Sequence, residues 1–115
     1  MEKDIHVYLA DIVESVEHIE EYITNLKTFQ EFQKDIKSQD AIIRRFMIIG
    51  EAVKHLPDAL RHRHSDIPWK KIAGIRDIFV HEYSGIDLIQ IWNIIGQDLP
   101  MLKRKVREML RNGES

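Results

Sequence analysis

The 115 residues predict an all-α fold, an up-and-down bundle of four main helices plus a short helical segment. Three observations carry that expectation. Apolar residues recur in a four-three rhythm at Ile5, Leu9, Ile12, Val16, Ile19, Ile23 and Leu26, and again from Leu88 to Met109, which lays a single stripe along each of two long helices. No stretch alternates apolar and polar residues as a half-buried strand would. The 43% apolar content can bury a core in a chain of this size without a metal or disulfide, so one domain over residues 1–115 is expected.

The first helix is expected from about Asp4 to Leu26, with Asp11, Glu14, Glu17, Glu20 and Glu21 on its wet face. Phe29 and Phe32 fall in a polar linker that tucks them back onto the core. Ser38 is placed to cap the second helix, with Asp40 in its first turn complementing the dipole. That helix carries Ile42, Phe46, Ile49, Val53 and Leu56 on one stripe and Ile43, Met47 and Gly50 on an adjacent one. Two apolar faces require either two neighbours or another subunit, and Gly50 permits a backbone to come close. Pro57 ends or kinks the helix, and a short segment from Asp58 to His64 follows.

Pro68 restarts the chain as a first helical residue. The third main helix is expected from Pro68 to His81 on a core stripe of Trp69, Ile72, Ile75 and Phe79, broken by Tyr83-Ser84-Gly85. The last runs from about Asp87 to Leu110, and Pro100 inside it predicts a kink. Arg104, Lys105, Arg107 and Arg111 load its C-terminal end with the charge that suits the dipole.

Composition excludes several classes of function. There is no cysteine, hence no thiolate chemistry and no zinc knuckle. No apolar run approaches the length of a membrane span and no leader pattern opens the chain, so a cytoplasmic protein is expected. Seventeen basic against nineteen acidic residues give a net charge of -2, so any nucleic-acid contact must be local. Three clusters could supply it: Arg44-Arg45, Arg61-His62-Arg63-His64 and Lys70-Lys71. His55, His62 and His64 lack the carboxylate spacing of a metal site, and neither a metal nor a cofactor is expected.

Polar groups suited to chemistry sit among core positions only between Trp69 and Tyr83. Arg76, His81 and Tyr83 form an Arg-x4-His-x-Tyr array: a permanent cation, a group titrating near neutral pH and a phenol. Five helical residues turn the direction by about 140°, so Arg76 and His81 share no stripe. They converge only if the helix ends near His81 and the arginine folds back, or if a symmetry mate completes the site. On spacing alone, Arg76 could equally pair with Asp77 or Glu82 on the surface, His81 could close a helix C-terminus, and Tyr83 could be a hydrogen-bonded phenol at a helix end. Glu51 could likewise pair with Arg45 or His55. Trp69 and Trp92 read as core.

The array, with Asp77 directly after the arginine, resembles the signature of the HEPN ribonuclease superfamily and of its HepT toxins. Similar in order and spacing are Ile48-Ile49-Gly50-Glu51-Ala52-Val53, Pro68-Trp69, Ala73-Gly74-Ile75-Arg76-Asp77, Tyr83-x-Gly85-Ile86-Asp87, Trp92 and Asp98-Leu99-Pro100. The resemblance implies a homodimeric helical bundle with a metal-independent endoribonuclease site at the cleft between its motif helices. It implies Arg76 and His81 as catalytic residues, with Asp77 and Glu51 supporting them. It further implies that Tyr83 accepts AMP from a minimal nucleotidyltransferase antitoxin (MntA-like), which silences the toxin. The competing expectation is a non-catalytic HEPN module that binds a nucleotide or a nucleotidyltransferase through the same cleft.

Overall fold

A computed structural model describes the backbone of residues 4–81 and 87–113 and the side chains of residues 4–77 and 87–113. Six helices lie within that range: α1 (Ile5–Tyr22), α2 (Phe29–Lys34), α3 (Ile36–Lys54), α4 (Asp58–Arg63), α5 (Trp69–His81) and α6 (Leu88–Arg111). The long elements fall where the four-three rhythm puts them. Two boundaries and one linker differ from the sequence expectation, each for a local reason.

α1 starts on Asp4, whose carboxylate accepts the His6 amide at 2.8 Å, and stops four residues short of Leu26. Thr24 turns its hydroxyl onto the Glu20 carbonyl at 3.0 Å, the back-bonding that competes with a continuing helix. Ile23 and Leu26 still reach the core from the following turn. The supposed linker then folds into α2, because Thr28 caps it by accepting the Glu31 amide at 3.1 Å. Thr28-x-x-Glu31 is the capping-box pattern, and the short helix it starts buries Phe32 completely enough to stack on Trp92 at 5.2 Å.

Asp35 rather than Ser38 caps α3, accepting the Ser38 amide at 3.0 Å. That backbone hydrogen bond holds the Asp35 carboxyl below the usual carboxylate range. Gln39 then donates to the carbonyls of Phe32 and Gln33, both at 2.9 Å, and satisfies the C-terminal end of α2. α4 is the expected short segment. It is anchored by the fully buried Leu60, with Asp58 in its first turn and Arg61, His62 and Arg63 in its last.

α3 is flanked by α1, α2 and α5, and α6 packs against α1 and α2. The first apolar stripe of α3 therefore finds its neighbours within the chain and Gly50 of the second lies under α5, whereas Met47 of that second stripe stays exposed. The core is the sum of the stripes: Leu9, Ile12, Val16 and Ile19; Ile42, Phe46, Ile49 and Val53; Ile72 and Ile75; and Leu99, Leu102, Val106 and Met109. Trp69 is buried and its indole N–H reaches the His64 carbonyl at 3.0 Å, so both tryptophans serve packing. α6 passes through Pro100 as one helix, with the proline on its exposed face. Lys103 to Glu20 (2.7 Å) and Arg107 to Glu17 (2.5 Å) tie α6 to α1, and Lys71 to Asp98 (2.9 Å) ties it to α5.

Gly50 sets how closely α5 approaches α3. A Cβ at that position would stand 2.5 Å from the Cβ of Arg76 and 3.4 Å from the Ala73 carbonyl oxygen, so any side chain there separates the helices. Gly50→Ala is expected to lower the unfolding free energy by about 1–2 kcal/mol, overpacking outweighing the gain in helix propensity. Gly96→Ala, where no atom lies within 4 Å of the added carbon, is expected to raise it by about 0.5–1 kcal/mol. Urea unfolding followed by circular dichroism compares the two.

Candidate active site

Because α5 seats over Gly50, the side chains of Arg76 and Asp77 come to lie beside the C-terminal half of α3. At the C-terminal end of α3, Glu51, Lys54 and the capping residue His55 are spaced three and four apart and share one face. The two helices interleave their charges. Arg76 Nε faces Glu51 Oε2 at 3.4 Å and Arg76 Nη1 faces Asp77 Oδ1 at 3.4 Å. Lys54 Nζ donates to the same Asp77 oxygen at 2.7 Å, and His55 Nε2 lies 3.3 Å from Glu51 Oε1. The His55 ring stacks on Tyr8 of α1, 4.7 Å away and 5° from parallel. Cation and anion thus alternate from Lys54 through Asp77 and Arg76 to Glu51, which also meets the His55 ring.

The strengths within this chain of contacts are unequal. Lys54 to Asp77 is a short charge-assisted hydrogen bond, whereas both contacts of Arg76 sit at the long end of ion pairing. Asp77 is therefore committed to Lys54. That hydrogen bond comes first, ahead of the neighbouring Arg76, in holding the Asp77 carboxyl below the usual carboxylate range. Arg76 is loosely held, about a third exposed, and opens on a groove of 420 Å³ lined also by Tyr8, Arg44, Met47, Ile48 and Glu51. A planar guanidinium on such a groove can exchange its weak carboxylate contacts for the two oxygens of a phosphate.

Among the residues singled out in the sequence, Arg76, Asp77 and Glu51 are brought together. Both surface pairings considered for them occur in part: Arg76 does meet Asp77, and Glu51 does meet His55, but Arg76 and Glu51 also meet each other across the helix seam. His81 is the last described residue of α5; its side chain, and Tyr83 altogether, lie outside the described residues. Lys54 was not foreseen, and His55 only as a partner of Glu51, without its stacking on Tyr8. The spacing of Glu51, Lys54 and His55 was the available signal, but their partners sit on other helices. Among the described residues no cluster of three or more His, Asp or Glu side chains could hold a metal ion, and no helix is long and apolar enough to cross a membrane.

The bond from Lys54 has a direct consequence. A carboxyl with a depressed folded-state pKa contributes stability above its unfolded pKa and loses it as pH falls through the folded value. The Asp77 carboxyl carbon is expected to titrate below the ordinary aspartate range by NMR, and Lys54→Ala is expected to move its midpoint back up. An unchanged midpoint in Lys54→Ala would mean that Lys54 is not what holds Asp77.

Residues 12–109 match the family model described as "Ribonuclease HepT-like". A Methanocaldococcus jannaschii protein named "Gamma-glutamylcyclotransferase and putative RNase" is 44% identical over 96% of this chain, which spans about half (49%) of that longer protein. A second protein of that organism, named "Putative RNase", is 39% identical over 97% of this chain and 92% of its own length. A Thermococcus cleftensis protein named "Probable ribonuclease HepT" is 40% identical over 89% of this chain and 92% of its own. No solved structure gives a significant match.

Proposed function

The chain belongs to the HepT-like ribonuclease family, and from that premise we propose that it is a metal-independent endoribonuclease, the toxin of a toxin–antitoxin pair acting in the cytoplasm. The observation that carries this reading is the setting of Arg76: a permanent cation, weakly tethered at 3.4 Å on either side, facing a groove. Cleavage without a metal makes the 2′-hydroxyl the nucleophile. Its oxygen forms a bond to phosphorus, the bond to the 5′-oxygen breaks, and one proton leaves the former while another reaches the latter. His81 exchanges those protons. Arg76 binds the non-bridging oxygens, whose charge grows in the phosphorane.

The supporting residues divide by the strength of their contacts. Asp77, held by Lys54 at 2.7 Å, fixes one side of the guanidinium. Glu51 fixes the other and keeps the arginine from swinging away in the absence of RNA. Arg76 and His81 separate by about 140° along one ideal helix, which favours a homodimer in which motif helices of two copies face one another. Exposed Val7 and Met47, 43% and 39% accessible, supply apolar surface for such a contact. Tyr83 accepts AMP from a minimal nucleotidyltransferase antitoxin, and the added phosphate competes for Arg76.

Cleavage of a labelled single-stranded RNA in EDTA tests the proposal. Arg76→Ala is expected to lower kcat roughly 100-fold or more, and His81→Ala by about 100- to 10,000-fold. Equal cleavage by wild type and His81→Ala would overturn the assignment. Co-expression with the nucleotidyltransferase is expected to add the mass of one AMP to the wild type and none to Tyr83→Phe.

A further inference from the structure

Two of the three basic clusters in the sequence are separated along the chain and are assigned no part in the chemistry above. The fold brings them together. The turn after α3, the helix α4 and the outer face of α5 enclose a second and larger groove of 1100 Å³. Lys54, Arg61 and His62 contribute from one side and Lys70 and Lys71 from the other. Lys70, Gly74 and Asp77, at spacings of four and three, run along its α5 wall. Gly74 has no atom within 4 Å of the position a Cβ would take, so that wall is open.

We infer that this groove is the track for the single-stranded RNA flanking the scissile phosphate, an inference that rests on the ribonuclease reading above. Three features point to a polyphosphate chain as the occupant. Four lysine and arginine side chains line the groove against two aspartates, Asp58 and Asp77, in a protein whose net charge is -2. Part of that charge is already answered: Lys54 pairs with Asp77, Arg61 with Asp58, and Lys71 with Asp98 at 2.9 Å. Lys70 and His62 are exposed and have no ion pair among the described residues, which leaves them to bind phosphate oxygens.

The third feature is continuity. Lys54 and Asp77 belong both to the groove lining and to the charge array that holds Arg76. Seven helical residues from Lys70 to Asp77 rise about 10 Å, a span of a few nucleotides. A strand whose scissile phosphate sits at Arg76 therefore extends over α5 toward Lys70 and His62. Binding through backbone phosphates carries little sequence preference and is sensitive to salt.

The test compares wild type with Lys70→Glu, His62→Glu and the double variant, together with Lys37→Glu, an exposed lysine at the start of α3 outside both grooves. Labelled single-stranded RNA of about 16 nucleotides is used both as substrate and, by fluorescence anisotropy across a salt series, as ligand. The double variant is expected to raise KM and Kd about tenfold, leave kcat within about twofold, and flatten the salt dependence by roughly 0.7 in log–log slope for each phosphate no longer neutralised. Lys70→Arg is expected to behave as wild type. Unchanged KM, Kd and salt slope in a folded double variant that still cleaves RNA would overturn the groove and leave the ribonuclease reading standing. Groove-dependent binding without cleavage by wild type would do the reverse. An equal loss in Lys37→Glu, or equally tight binding of polyglutamate, would show a generic attraction of anions and overturn the inference.

Discussion

The approach of α5 to α3 over Gly50 is the constraint on which the candidate site depends. With no side chain at that position, the Cβ of Arg76 can occupy the space that a Cβ at residue 50 would need. A chain that buries apolar stripes on all its long helices could settle α5 at many heights and rotations. The missing side chain selects the one in which Arg76 and Asp77 meet Glu51 and Lys54. The charges then reinforce the register, although each surface pair contributes little by itself.

Unequal sharing of charge along that seam is what leaves Arg76 open to another anion. Lys54 takes Asp77 at 2.7 Å, so the carboxylate beside Arg76 is occupied and stays ionised. Glu51 divides itself between Arg76 at 3.4 Å and His55 at 3.3 Å. The arginine is left oriented but not saturated. A guanidinium locked into a bidentate carboxylate pair would have to surrender strong bonds before it could receive a phosphate, whereas this one surrenders weak ones. The Tyr8 ring stacked on His55 extends the same order to α1 and fixes the far end of the array.

Most of the architecture was legible in the chain, because long amphipathic stripes such as Ile5 to Ile19 and Leu88 to Met109 leave one solution. What was missed was short. α2 has too few residues for a period to show, and its signature was the chemical pattern Thr28-x-x-Glu31 rather than a hydrophobic one. The start of α3 turned on a choice between Asp35 and Ser38, two good caps three residues apart, and it is the amide of the second that the first accepts. The close approach at Gly50 was legible from the residue type alone. Its partner was not, since nothing local says that residue 76 of another helix covers it. The same limit explains Lys54 and the Tyr8 ring over His55: spacing put Glu51, Lys54 and His55 on one face, and only the fold shows what that face meets.

The central claim is that the 2′-hydroxyl of the RNA attacks phosphorus with the charge received by Arg76 and the protons handled by His81. The new ends of the cleaved RNA report on that step most directly. Mass spectrometry of the fragments released in EDTA is expected to find a 2′,3′-cyclic phosphate, or the 3′-phosphate formed from it, opposite a free 5′-hydroxyl. A 5′-phosphate opposite a 3′-hydroxyl would mean that water rather than the 2′-oxygen had attacked, and would contradict the account.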